Sequence, residues 1–147
     1  MPFPKNKYND YSWIKGSPEI GDETWIGPFC IIDGTGGLSI GKGCDISAGT
    51  HIYTHSTVRR CVSGKKFQDG RINRDLIDIK PVSIGNSTFI GPHSVISYGV
   101  TIGNNCIIAA NSFVNTDIPD NCVYAGTPAI HIGNVTFDNS EMQIHYF

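Results

Sequence analysis

An aliphatic residue recurs at every sixth position through two stretches of this chain, a spacing that neither an α-helix nor a plain strand reproduces. In the second stretch Ile84, Ile90, Ile96, Ile102, Ile108 and Val114 keep the interval without a break, and Gly85, Gly91 and Gly103 directly follow three of them. The first stretch runs through Ile20, Ile26, Ile32 and Leu38, slips by two residues at Ser39, and resumes at Ile40, Ile46 and Ile52. Four residues after the aliphatic position stands a small one: Thr24, Cys30, Cys44, Thr50, Thr88, Ser94, Val100, Cys106 and Ser112. Such a period belongs to short strands joined by tight corners, where a glycine avoids the cost of a Cβ. Stacked repeats of this kind bury one continuous core.

At 147 residues the chain is expected to form a single domain, residues 1–147. A net charge of -2 gives no basic footprint for nucleic acid. No run approaches the roughly 18 apolar residues of a membrane span, and the opening MPFPKNKYND lacks the apolar core of a signal peptide, so a cytoplasmic location is expected. Five cysteines without paired spacings point to reduced thiols rather than to disulfides or a zinc site. Cys30, Cys44 and Cys106 fall in the small inward slot, Cys122 belongs to the last coil, and Cys61 is the one expected to be reactive.

Between Ile52 and Ile84 the period vanishes. The interruption holds seven of the chain's 11 Lys and Arg residues, namely Arg59, Arg60, Lys65, Lys66, Arg71, Arg74 and Lys80. Only Asp69, Asp75 and Asp78 oppose them, so the loop is cationic inside an acidic chain. Long loops without structure of their own are usually functional or disordered. The cations either keep a loop solvated or form a lid over phosphates of a nucleotide-linked sugar or of coenzyme A. His55 stands at the entrance, in IYTHSTV.

The repeat and the segment VTIGNNCIIAANSFVNTDIPDNCVYAGTPA together resemble the hexapeptide-repeat acyltransferases, among them the maltose and galactoside O-acetyltransferases and the sugar acetyltransferases of surface-polysaccharide synthesis. The resemblance implies an all-β, left-handed parallel β-helix with one long excursion loop. Coils would span about 17–130, the excursion about 56–81 and a C-terminal cap 131–147. It also implies a homotrimer that uses acetyl-CoA as acyl donor, with no metal. His55 takes the place of the family's general base, a role that suits imidazole because its neutral form accepts a proton at cell pH. Asp33, with Arg59 and Arg60, would meet the acceptor. Phe89, Ala110, Asn115 and Thr116 would line the donor side, although Asn115, Thr116 and Ile130 depart from the residues that relatives commonly place there.

The leading expectation is therefore transfer of an acetyl group to a sugar hydroxyl, in glycan assembly by analogy. The first alternative is an N-acetyltransferase of a nucleotide-linked amino sugar. A second is a zinc enzyme of the γ-carbonic anhydrase type, which would need His51, His55 and His93 as ligands. A non-enzymatic repeat scaffold is the third, and a break in the core beside a histidine argues against it.

Overall fold

The computed structural model describes residues 3–147, and in it the six-residue period becomes five stacked coils. The first coil contains β1 (Trp13–Gly16), β2 (Glu19–Ile20) and β3 (Trp25–Ile26); the second β4 (Ile31–Gly34), β5 (Leu38–Ile40) and β6 (Asp45–Ile46). The third begins with β7 (His51–Ile52) and leaves the coil for β8 (His55–Ser56), α1 (Val58–Val62), β9 (Phe67–Gln68), β10 (Arg71–Ile72) and β11 (Asp78–Ile79). It resumes with β12 (Val82–Ile84) and β13 (Phe89–Ile90). The fourth holds β14 (Val95–Ile96), β15 (Thr101–Ile102) and β16 (Ile107–Ile108); the fifth holds β17 (Phe113–Val114) and β18 (Cys122–Gly126). A hairpin of β19 (Ala129–Asp138) and β20 (Glu141–Tyr146) follows.

These strands form three faces of a parallel β-helix. The first face stacks β1-β4-β7-β14-β17, the second β2-β5-β12-β15, and the third β3-β6-β13-β16-β18 followed by the hairpin. The aliphatic series makes the interior columns. On the first face Ile32, Ile52, Ile96 and Val114 stand in register, each fully buried. Each buried aliphatic side chain of this size stabilises the fold by about 1.5–3 kcal/mol relative to exposure. The columns reach one repeat further toward the N-terminus than the sequence suggests, because Ile14 pairs with Ile32.

The small slot does more than save space. The Thr24 hydroxyl donates to Gly41 O at 2.7 Å, the Thr88 hydroxyl to Gly103 O at 2.8 Å, and the Cys44 thiol to Gly85 O at 3.0 Å. The same oxygens of Thr24 and Thr88 accept the backbone N–H of Cys44 and Cys106 in the next coil. At every such corner but that of Val100, a short side chain with one donor closes the turn and leaves few buried backbone groups unpaired.

The slip near Ser39 has a definite place. Ile40 keeps register with both Ile20 and Ile84, so the two extra residues are absorbed in the 34–38 corner between the first and second faces. One coil later the excursion leaves and re-enters at that same corner, between β7 and β12. Gly36 lies directly beneath its root: a Cβ there would fall 2.6 Å from Thr54 O and 2.8 Å from Ile79 Cγ2. The C-terminal tail, expected as a cap over 131–147, is an antiparallel hairpin from Ala129 that extends the third face. Val135, Phe137 and Met142 enclose an apolar groove of about 450 Å³ with Phe89 and Ile107.

Candidate active site

His55 is the first residue of a two-stranded ribbon that forms the neck of the excursion, with Ile79 opposite it and Asp78 opposite Ser56. An ion pair of 3.0 Å between Arg59 Nη2 and Asp78 Oδ1 ties α1 to the returning strand. The imidazole is about 30% exposed, and its Nδ1 lies 2.6 Å from Oδ2 of Asp33, which is 1% exposed. Asp33 comes from β4, one coil below and 22 residues earlier in the chain.

The surroundings of Asp33 explain why it can be enclosed. Its carboxylate accepts the Thr35 N–H at 3.1 Å and the Thr35 hydroxyl at 2.5 Å, closing a local Asx-type turn at the bulged corner. Thr54 adds its N–H at 3.2 Å and its hydroxyl at 3.1 Å. Burial works against a charge here, but the hydrogen bonds from Thr35, His55 and Thr54 outweigh it and hold the carboxyl below the usual carboxylate range. A charged Asp33 can only accept, so the proton on Nδ1 is His55's, and in the neutral imidazole this tautomer leaves the lone pair on Nε2.

This arrangement corrects one expectation. Asp33 was expected to hold acceptor hydroxyls, yet its side chain has no exposed surface on which to receive them. Its carboxylate is taken up by Thr35, Thr54 and His55. Arg59 and Arg60 both stand on α1. Arg59 is engaged by Asp78, while Arg60 donates from Nη1 to Asn73 O at 3.4 Å and keeps an enclosed Nε with no partner.

A groove of about 340 Å³ opens beside His55, lined by Tyr53, Ser56, Val58, Val95, Ser97, Tyr98 and Phe113. Val95 and Phe113 are adjacent in register on the outside of the first face, so the groove climbs along the fourth and fifth coils. Tyr53 stands between two imidazoles: its ring lies edge-on to both His51 and His55, and its hydroxyl is 3.2 Å from His51 Nδ1. Burial, and then the neighbouring His93, push the His51 pKa down, which favours the neutral ring. A larger hollow of about 990 Å³ lies among Gln68, Arg71, Arg74 and their neighbours in the excursion. Its ionisable lining is Asp69, Arg71, Arg74 and Asp75, and a histidine lines the smaller groove instead.

The residues expected on the donor side do not converge within one chain. Asn115 and Thr116 follow β17 at the end of the first face, Ala110 sits at the corner between third and first faces, and Phe89 points outward from the third face. Among the described residues no group of three His, Cys, Asp or Glu side chains could hold a metal ion, and His51 and His55 are engaged by Tyr53 and Asp33. Sequence reading missed Thr35, Thr54, Tyr53, Tyr98 and Phe113. The i, i+2, i+4 spacing of His51, Tyr53 and His55 was the available signal for Tyr53, since alternate residues of an extended segment share a side.

Two family patterns match the coils: residues 81–116 fit the bacterial transferase hexapeptide (six repeats), and residues 19–54 the hexapeptide repeat of succinyl-transferase. The galactoside O-acetyltransferase of Escherichia coli (strain K12) is 29% identical over 141 residues, covering 87% of this chain and 67% of that protein. A hexapeptide-repeat-containing acetyltransferase of Vibrio cholerae O1 biovar eltor, solved with acetyl coenzyme A, is 32% identical with a TM-score of 0.63; the match covers 80% of this chain and 60% of that one. A maltose O-acetyltransferase from Clostridium difficile 630 is 28% identical with a TM-score of 0.62, over 80% and 58%. The chain thus spans about two thirds or less of these proteins.

Proposed function

The chain belongs to the hexapeptide-repeat family of bacterial transferases, and we propose on that footing that it is an acyltransferase moving an acetyl group from acetyl-CoA to a sugar hydroxyl. The observation that carries this reading is the 2.6 Å contact between Asp33 and His55 at the mouth of a groove. Asp33 holds the imidazole so that Nε2 faces outward with its lone pair. The acceptor hydroxyl gives its proton to Nε2 as its oxygen attacks the thioester carbonyl. A tetrahedral intermediate forms, the carbon–sulfur bond breaks, and the imidazolium returns the proton to the departing CoA thiolate. The products are an acetyl ester and CoA, and His55 is neutral again. General-base assistance of this kind contributes about 10²–10⁴-fold to rate.

Acetyl-CoA enters as a substrate, and the mainly apolar wall of Val95, Phe113 and Val58 suits its acyl end. Asn115 and Thr116 stand further along the same face. Phe89 and Ala110 can reach a donor bound at His55 only from a neighbouring copy, which agrees with a homotrimer whose sites lie between subunits. Arg59 and Arg60 shape the rim on the acceptor side. We propose a cytoplasmic setting, a compartment in which the five free thiols would remain reduced. No helix among the described residues is long and apolar enough to cross a membrane. Surface-glycan synthesis is the proposed setting, and an amino-sugar acceptor is the second reading because the excursion is cationic.

The reading is tested by incubating the protein with acetyl-CoA and a panel of hexoses, glycosides and amino sugars, and weighing the products. A mass increase of one acetyl group, removed by mild alkali, identifies an ester. An alkali-stable adduct on an amino sugar selects the second reading. No adduct on any acceptor, with acetyl-CoA intact, would count against acyl transfer altogether.

A further inference from the structure

One cation outside the His55–Asp33 pair is built into the same frame. Lys80 follows Ile79, the residue registered opposite His55 in the neck of the excursion. Its N–H donates to Thr54 O at 3.0 Å, and Thr54 is itself bonded to the Asp33 carboxylate. The Lys80 stem lies across Gly99, where a Cβ would stand 3.0 Å from Lys80 Cδ and 3.3 Å from Lys80 Cβ. Gly99 has φ +78, so its corner both tolerates glycine's conformation and leaves the space that the stem fills. The ammonium is 5.7 Å from the centroid of the Tyr98 ring, and Tyr98 lines the groove with His55.

Among the described residues the ion pairs are His55–Asp33 and Arg59–Asp78, so the Lys80 ammonium has no carboxylate partner. A lysine whose backbone is tied down and whose stem is packed loses part of the freedom that usually weakens an exposed cation as a binding group. Resting on the proposed acyltransfer, we propose that Lys80 binds an anionic group of the acceptor, a carboxylate or phosphate carried by the sugar, and so selects acidic saccharides. The donor's own phosphates are a poorer match. The whole pantetheine arm separates them from the thioester, whereas Lys80 is one residue from the position facing the base.

Calorimetric titration of the full chain at low salt tests this without requiring turnover. The probes are methyl glucoside, glucuronic acid and glucose 1-phosphate; the proteins are wild type, Lys80→Met, Lys80→Arg and a Lys65→Ala/Lys66→Ala control, each checked by thermal melting. The expected result is that at least one acidic probe binds wild type tenfold or more tightly than the neutral glycoside. That preference falls about tenfold in Lys80→Met, is largely kept in Lys80→Arg and in the control, and weakens with added salt. Which acidic probe binds better separates carboxylate from phosphate. The proposal is overturned if wild type shows no preference, if Lys80→Met keeps it, or if the control loses it instead. Kinetics supply a second readout: a higher KM for acetyl-CoA in Lys80→Met, with an unchanged ratio of acidic to neutral acceptor kcat/KM, would assign Lys80 to the donor. Should no acceptor be acetylated, the acyltransfer reading fails while the titration still decides the anion site.

Discussion

Asp33 accepts five hydrogen bonds on a carboxylate that solvent does not reach, three of them from side chains. Replacing it with Asn leaves the shape but offers His55 an N–H in place of an acceptor, which favours the wrong tautomer. We expect kcat to fall by about 10²–10⁴-fold in Asp33→Asn, with the KM for acetyl-CoA little changed, as steady-state kinetics would read. The folded carboxyl is shifted downward, so its stabilising contribution is complete above the unfolded value of about 3.9 and is lost as pH falls below it. Melting curves of wild type and Asp33→Asn should therefore differ most near neutral pH and converge in acid; a constant gap would contradict the charged assignment. His55 stands out in the sequence because the period stops beside it. Asp33 was legible as a polar residue at a slip, but not as its partner, because the contact spans 22 residues and depends on where the corner bulge lies under the next coil.

The coils are the best-determined elements, since the six-residue period fixes which side chains enter the core and the corner residues fix where the chain turns. Ile90, fully buried between Ile46 and Ile108 in register, should cost about 2–5 kcal/mol when changed to Ala, measured by chemical denaturation. Burial raises the thiol pKa of Cys30, Cys106 and Cys122, and Cys44 is fully enclosed, whereas Cys61 is exposed on α1. Native protein should accordingly consume one equivalent of a thiol reagent quickly, rising to five after denaturation. The period showed that the slot after each aliphatic residue is small. That it is also a hydrogen-bonding ladder could not be read from it, because the partners are carbonyls of the next coil. The excursion's own elements were equally hidden: β8 and β11 pair across more than twenty residues that carry no repeat.

At the scale of the whole molecule the β-helix is a stand, and in the proposed reading the neck of the excursion carries the chemistry. Replacing residues 58–77 with a short Gly-Ser linker should leave the far-UV spectrum and the cooperative melt of the coils in place while transfer activity drops by at least 10²-fold. The proposed trimer predicts a sedimentation mass three times the 16.0 kDa of one chain, and a mass of one or two chains would remove the neighbour that Phe89 and Ala110 require. The account as a whole turns on His55. The most direct test is the rate of CoA release from acetyl-CoA, with an acceptor that wild type acetylates, for wild type and His55→Ala side by side. The account predicts a loss of about 10²-fold or more in kcat with the melting temperature nearly unchanged. A His55→Ala protein that releases CoA as fast as wild type would contradict it.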